Sequence, residues 1–329
     1  MKIVVADPIF LPEEYRARLK ALGELEVYDT IPHSQEEFVE RIKDAEIVIV
    51  GRYGFNSETL RLAPKLKMIS LWQTGYDNVD LAAANKQGVV VTNVPNYAFD
   101  SVAEFTFALI LDLERKVREA DTNLRIGKFD WKYHIGGELM SKFIGVIGTG
   151  NIGRRVIQIA HGFNMIVLST TSHPNPERAK KLGVKFVDLD TLLSESDIVT
   201  LHVPLTLETR HMIGAKELAK MKASAILINT ARGKVIDEAA LVKALKEKKI
   251  AGAGLDVFAQ EPLEKESPLK KLDNVILTPH TAALTRECVV RLAVEAVKAT
   301  LDVFEGKKPN GIVNPEVLTQ PRWQGILSS

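Results

Sequence analysis

Residues Lys142 to Arg154 read KFIGVIGTGNIGR. Phe143, Ile144, Val146 and Ile147 form a short apolar run rich in β-branched residues, which predicts a buried strand. The run meets Gly148, Gly150 and Gly153 in G-x-G-x-x-G spacing, and the residues after them carry helical spacing. The first glycine permits a tight strand-to-helix turn, the second lets a phosphate approach bare backbone, and the third lets helix and strand pack closely. The following helix begins with unpaired N–H groups, which suit the pyrophosphate of a dinucleotide.

Outward from this turn, strand and helix patterns alternate. Downstream, strands are expected at 143–147, 165–169, 198–202, 225–229, 252–256 and 275–278, with helices between them. Six parallel strands with a glycine turn after the first is the pattern of a doubly wound dinucleotide fold. Upstream, residues 1–100 hold five further strand candidates: 3–5, 26–28, 46–50, 68–71 and 89–92. They alternate with helical stretches at 12–22, 35–44, 57–62 and 79–87, so a second parallel α/β unit is expected. Ser34, followed by Glu36 and Glu37, marks one of these helix starts. Residues 101–126 read as one long helix, apolar almost all round its first half and so buried on several sides. The following loop, 127–137, mixes Trp131, Tyr133 and His134 with Lys128 and Lys132, which suits an exposed arm or a contact with another subunit. A last helix from Arg286 to Phe304 precedes a tail punctuated by Gly306, Pro309, Gly311 and Pro315. The nucleotide domain (101–285) therefore reads as an insertion into a first domain made of 1–100 and 286–329.

Composition narrows the function classes. Lys plus Arg number 43 against 42 for Asp plus Glu, a net charge of +1, so nothing favours a nucleic-acid or anionic-membrane partner. The N-terminus reads as a first strand, not a signal peptide, and no apolar run is long enough to span a bilayer, so the cytoplasm is the expected compartment. The single cysteine, Cys288, excludes an intrachain disulfide and a cysteine-built metal cluster, and no metal is expected.

In open α/β sheets, ligands collect beyond the carboxyl ends of the strands. Three strand ends of the second unit deliver chemistry there. Thr230-Ala231-Arg232-Gly233 follows 226–229, Asp256 and then Glu261-Pro262 follow 252–255, and Thr278-Pro279-His280 follows 275–277. An arginine, an acid and a histidine thus gather along one sheet edge, and His202-Val203-Pro204 closes a fourth strand there.

With these residues in place, the chain resembles the D-2-hydroxyacid dehydrogenases, the family containing D-lactate, phosphoglycerate and glyoxylate/hydroxypyruvate enzymes. The matching segments are GVIGTGNIG (145–153), HVPLTLETRHMI (202–213), INTARGKVID (228–237), AGAGLDVFAQEP (251–262) and NVILTPHTAALT (274–285). TGYDNVDL (74–81), SVAEFTFALIL (101–111) and IVNPEV (312–317) match as well, so the resemblance covers nearly the whole chain. It implies an α/β protein of two doubly wound parallel-sheet domains, a Rossmann-type cofactor domain inserted into a flavodoxin-like substrate domain. It also implies a homodimer, a substrate held in the cleft, and hydride transfer between NAD(P)H and a small 2-oxo or D-2-hydroxy acid.

By the same resemblance, Arg232 binds the substrate carboxylate or carbonyl oxygen, a task suited to a planar, always-charged fork. His280 donates a proton to the carbonyl oxygen, and Glu261 orients His280 and stabilises its imidazolium form. Asp256 meets the nicotinamide carboxamide. Gly148, Gly150, Asn151, Ile152, Gly153, Val203, Pro204, Thr230, Ala231 and Ala282 are expected along the cofactor. Thr74 and Gly75 offer backbone N–H groups to the substrate carboxylate, with Arg52 as an additional candidate.

Two departures refine this expectation. Where the family usually has an acid for the ribose 2′-hydroxyl, this chain has Thr171, within Ser169-Thr170-Thr171-Ser172-His173-Pro174. Hydroxyls, His173 and nearby Arg178 accept a 2′-phosphate that a carboxylate would repel, so NADP(H) is favoured and NAD(H) remains the alternative. Phosphoglycerate-oxidising relatives tend to carry arginine just before TG-x-DNVD, where this chain has Ser70-Leu71-Trp72-Gln73. Glyoxylate or hydroxypyruvate is therefore expected ahead of D-3-phosphoglycerate or D-lactate. The competing class is a nicotinamide-sensing, corepressor-like binding protein, which the absence of a long charged extension disfavours.

Overall fold

The computed structural model describes residues 1–51 and 53–324. In chain order the elements begin β1 (Lys2–Val5), α1 (Glu13–Leu22), β2 (Glu24–Val27), α2 (Gln35–Ile42), β3 (Ile47–Val50), α3 (Ser57–Leu62), β4 (Met68–Leu71), α4 (Leu81–Gln87) and β5 (Val90–Thr92). They continue with α5 (Phe99–Arg115), α6 (Val117–Arg125), β6 (Phe143–Ile147), α7 (Asn151–Gly162), β7 (Ile166–Thr170), α8 (Pro176–Leu182), β8 (Lys185–Phe186), α9 (Leu189–Glu195) and β9 (Ile198–Leu201). The series closes with α10 (Ala215–Leu218), β10 (Ile226–Asn229), α11 (Glu238–Lys246), β11 (Gly252–Leu255), β12 (Val275–Leu277) and α12 (Arg286–Phe304). By internal contacts the chain divides into two compact units, Met1–Tyr97 with Thr285–Ser329, and Ala98–Leu284.

The first unit is a five-stranded parallel sheet in the order β2-β1-β3-β4-β5. Its strands are near-continuous aliphatic runs because helices cover both faces. Alternation along β1 sorts the core: Ile3 and Val5 join one apolar cluster, while Val4 and Ala6 join the other. Helix starts follow the expected chemistry, with Ser34, Asn56 and Asp80 each accepting a hydrogen bond from the N–H three residues on. Helix α12 is tied to the sheet where Ser70 Oγ donates to the Ala296 carbonyl at 2.9 Å.

The second unit is a seven-stranded parallel sheet, β12-β11-β10-β9-β6-β7-β8. The strand order reverses between β6 and β9, so the glycine turn after β6 lies at the topological switch point of a doubly wound sheet. The expected fold class is borne out, with two differences. The sheet has a seventh strand, β8, whose two residues are too few to show any period. The long helix expected over 101–126 is two helices, broken at Lys116, whose backbone is left-handed at φ 52°. Neither glycine nor proline signals this break. It is supported from outside the backbone pattern, since Asp112 Oδ1 accepts the Arg118 N–H at 2.7 Å and Lys116 Nζ donates to the Tyr133 carbonyl at 3.2 Å. After the break the apolar residues face outward. Val117, Leu124, Ile126, Phe129, Trp131, Tyr133 and Ile135 are all exposed, Phe129 at 88%.

Candidate active site

The glycine turn behaves as its spacing predicts. Gly148 has φ +96°, and a β-carbon there would lie 2.4 Å from the His202 carbonyl oxygen. A β-carbon on Gly153 would lie 2.0 Å from the Gly148 carbonyl oxygen, so the first and third glycines are demanded by close backbone approach. A β-carbon on Gly150 would meet nothing within 4 Å, which leaves the face of the turn open. Helix α7 starts at Asn151 with Gly150 as N-cap and no side-chain cap, so its first N–H groups have no side-chain acceptor from that cap. Thr149 is buried, and among the described residues its Oγ1 has no partner. An open backbone face, an uncapped helix start and an orphaned hydroxyl fit a phosphate-bearing ligand.

Beside this turn lies a cavity of about 590 Å³ lined by Arg154, His173, Asn175, Arg178, Lys181 and Leu182, among others. Asn175 caps α8 through the Arg178 N–H at 3.1 Å, which fixes the helix that carries Arg178 and Lys181. The Arg178 guanidinium also donates to the Thr149 carbonyl, and Arg154 Nη2 donates to Asn151 Oδ1 at 3.0 Å. Three cations and a histidine therefore border the cavity, with Glu177 as the one carboxylate among its lining residues. Thr171 directly follows β7 and is half-buried, but it is not among the lining residues; His173 and α8 build the wall instead.

Val203 packs against the glycine turn, 2.9 Å from the position of a Gly148 β-carbon, while Pro204 accepts a hydrogen bond from Thr209 Oγ1 at 2.6 Å. Burial pushes the neighbouring His202 imidazole down to about 3, and its Nε2 lies 2.9 Å from Thr200 Oγ1.

The arginine turn after β10 is held by Asn229, whose Oδ1 accepts the Ala231 N–H and whose Nδ2 donates to the Arg232 carbonyl, both at 3.0 Å. Thr230 is buried against Thr106, hydroxyl to hydroxyl at 3.1 Å. A β-carbon on Gly233 would lie 1.9 Å from the Phe258 carbonyl, so this turn presses on the segment leading to Glu261. Arg232 Nη1 donates to the Ala231 carbonyl at 2.7 Å.

Glu261 and His280 are brought together. Glu261 Oε2 lies 2.7 Å from His280 Nδ1, and Oε1 accepts the Phe258 N–H at 3.0 Å. Half-burial opposes ionisation of Glu261. The His280 hydrogen bond and charge, the Phe258 N–H and the Arg232 charge outweigh it and hold the carboxyl below its usual range. With Nδ1 engaged, Nε2 is the ring atom left to exchange a proton.

Asp256 has a role that spacing did not reveal. Fully buried, it accepts from Thr278 Oγ1 (2.6 Å), the Thr281 N–H (2.8 Å) and the Ala282 N–H (2.8 Å). Its own carbonyl accepts the His280 N–H at 2.8 Å, so one residue shapes the loop that puts His280 in a left-handed backbone at φ 54°. Asn229, Phe258, Arg154 and Lys181 were also not singled out by sequence reasoning. An asparagine closing a strand ahead of a turn is the one signal that could have found any of them.

In the first unit, the loop after β4 carries Thr74 and Gly75. Its carbonyl side is occupied: Asn93 Nδ2 donates to the Thr74 carbonyl (2.6 Å), the Val94 N–H to the Gln73 carbonyl (3.0 Å) and Gln73 Nε2 to the Gly75 carbonyl (2.8 Å). Among the described residues, the Thr74 and Gly75 N–H groups meet no acceptor. Arg52 lies outside the described residues. Also among the described residues, no group of His, Cys, Asp and Glu could hold a metal ion, and no helix is long and apolar enough to cross a membrane.

The sequence model described as "D-isomer specific 2-hydroxyacid dehydrogenase, NAD binding domain" matches residues 107–282. A glyoxylate reductase of Korarchaeum cryptofilum is 43% identical over 94% of this chain and 95% of its own. Among solved structures, an acyclic imino acid reductase in complex with NADPH and D-Arg superposes with a TM-score of 0.86 at 33% identity, covering 95% of this chain and all of its own. A D-lactate dehydrogenase of Aquifex aeolicus complexed with NAD and lactic acid gives 0.82 at 35% identity, covering 93% and 96%. These matches over the greater part of the chain show that it belongs to the D-isomer specific 2-hydroxyacid dehydrogenase family.

Proposed function

We propose that the protein is a reductase of small 2-oxo acids, glyoxylate or hydroxypyruvate, with NADPH preferred over NADH. The observation that carries the reading is the His280–Glu261 pair, 2.7 Å apart and within the electrostatic reach of Arg232. Gly148, Gly150, Gly153 and the start of α7, Asn151 and Ile152, would hold the dinucleotide pyrophosphate. Val203, Pro204, Thr230, Ala231, Asp256 and Ala282 would lie along the rest of the cofactor. When bound, the nicotinamide supplies or accepts the hydride. Arg232 holds the acid by its carboxylate and polarises the carbonyl through a charged, two-pronged donor. His280 delivers a proton from Nε2 to the carbonyl oxygen, giving the 2-hydroxy acid, and takes it back in the oxidative direction. Glu261 stabilises the imidazolium form while that proton is held. Thr74 and Gly75 serve as further donors to the carboxylate.

The NADPH preference is supported by the cavity beside the glycine turn, where Arg154, Arg178, Lys181 and His173 offer positive charge to a 2′-phosphate. A small, unphosphorylated acid is supported by Trp72 and Gln73, which stand where a phosphate-binding arginine would be expected. A second copy of the chain is the partner we propose, supported by the exposed apolar residues from Ile126 to Ile135.

The test is a panel of 2-oxo acids with each cofactor, followed by nicotinamide absorbance. Turnover of glyoxylate or hydroxypyruvate with a higher kcat/KM for NADPH than for NADH is expected. Tight cofactor binding without turnover of any acid would instead identify a nicotinamide sensor. Equal or better use of NADH would overturn the cofactor preference alone.

A further inference from the structure

Asp7 is a buried acid that the chemistry above does not use. It follows β1 and Ala6 in the first unit and is fully buried. Its carboxylate accepts the Trp72 indole N–H at 2.7 Å and the Gly51 N–H on both oxygens, at 3.2 and 3.1 Å. Gly51 and Trp72 directly follow β3 and β4. One side chain therefore ties together the carboxyl ends of three adjacent strands. In the order β2-β1-β3-β4-β5, the chain reverses direction of growth between β1 and β3, so this tie spans the crevice where such sheets gather ligands.

The tie is built tightly. Arg41, itself buried, donates through Nη1 to the Ala6 carbonyl at 2.9 Å and so braces the backbone just before Asp7. The indole lies against Gly51 so closely that a β-carbon on that glycine would come within 2.4 Å of Trp72 Cε2. Directly after Trp72 comes the loop whose carbonyls are all clamped by Asn93, Val94 and Gln73 while the Thr74 and Gly75 N–H groups are left open. Two adjacent unpaired N–H groups form an anion-binding concavity only while their peptide planes are held.

From this geometry we infer that Asp7 is a positioning residue for substrate. By holding the Trp72 indole and the Gly51 amide, it fixes the start of the 73–76 loop and keeps the Thr74 and Gly75 N–H groups turned toward a carboxylate. The inference deepens the proposed function and rests on it for the identity of that carboxylate as a 2-oxo acid.

The experiment uses Asp7→Asn, Trp72→Phe and the double variant of the full chain. Each is assayed for KM toward glyoxylate and toward NADPH, with thermal unfolding recorded in parallel. Oxamate, an unreactive 2-oxo acid analogue, is titrated calorimetrically into each protein with NADPH present. Either single change should raise the KM for the acid by roughly tenfold, in line with loss of one hydrogen bond to a charged group. NADPH KM should stay level, and the double variant should be no worse than the weaker single one, because one change removes the charge and the other the donor of the same charge-assisted contact. A fall in Tm with unchanged KM for the acid, or equal losses toward acid and NADPH, would overturn the inference and leave a merely structural contact. If the wild type turns over no acid yet binds oxamate, and Asp7→Asn weakens that binding, the proposed function falls while the positioning role stands. If the wild type neither turns over an acid nor binds oxamate, both fall.

Discussion

Replacing Glu261 by Gln tests the proposed proton-transfer pair with little change in shape. The carboxylate now serves two donors at once, His280 Nδ1 at 2.7 Å and the Phe258 N–H at 3.0 Å. A glutamine has one oxygen, and the Phe258 N–H can satisfy it without any movement of backbone. The amide NH₂ then faces His280 Nδ1 and requires it to be an acceptor, which moves the ring proton to Nε2 and removes the countercharge for imidazolium. A hydrogen bond to a charged group contributes about 1.5–3 kcal/mol. The side chains here are 51% and 36% exposed, so solvent screening brings the loss toward the lower end. A loss of about 1.4 kcal/mol corresponds to roughly tenfold in kcat. Removing the acid itself, in His280→Asn, should cost about 10²–10⁴-fold. Because both changes disable one unit, the double variant should be no slower than His280→Asn alone. Steady-state kcat for the acid at saturating NADPH reads all three. If Glu261→Gln retains kcat within about twofold of wild type while His280→Asn is slow, the countercharge argument is wrong.

Arg178→Ala should lower kcat/KM for NADPH by roughly 10–100-fold, the value of one charged hydrogen bond, and lower that for NADH less. Because Arg178 also holds the Thr149 carbonyl, equal losses with both cofactors would reduce it to a brace for the turn. His202, held near 3 by burial, is neutral in the folded protein and charged in the unfolded chain from pH 6.5 down to about 3. The unfolded state then binds the extra proton, so stability is fully present above pH 6.5 and falls on acidification through that window, by up to about 1.4 kcal/mol per pH unit. Urea midpoints at several pH values should therefore fall more steeply for wild type than for His202→Asn, and parallel slopes would refute it. Gly148→Ala places a β-carbon 2.4 Å from the His202 carbonyl at a φ of +96°. It should destabilise by on the order of 1–3 kcal/mol and abolish measurable dinucleotide binding, read by thermal unfolding and calorimetry.

Much of the fold was legible because parallel strands buried on both faces must be continuous apolar runs. Ile47–Val50 and Phe143–Ile147 announce themselves in that way. The Gly148, Gly150 and Gly153 spacing was equally legible, since the first and third glycines answer close backbone approaches and the second leaves the face of the turn open. What stayed hidden depends on contacts distant in sequence or on patterns too short to read. β8 has two residues, and the helix break at Lys116 is stabilised by Asp112 and Tyr133 rather than by a breaker residue. Arg154 on α7 converges with Lys181 on α8 only once β7 has been laid beside β6. The resemblance assigns Asp256 a cofactor contact, and its hydrogen bonds to Thr278, Thr281 and Ala282 appear only when β11 and β12 are paired.

The overlap that any side chain at Gly233 would make with the Phe258 carbonyl couples two pieces of the molecule that differ in origin along the chain. The arginine turn and the acid's segment behave as one mechanical part, so neither can drift in sequence or be redesigned without the other. A side chain introduced at Gly233 would therefore be felt in the segment that carries Glu261, and a shift at Phe258 would be felt in the turn that carries Arg232.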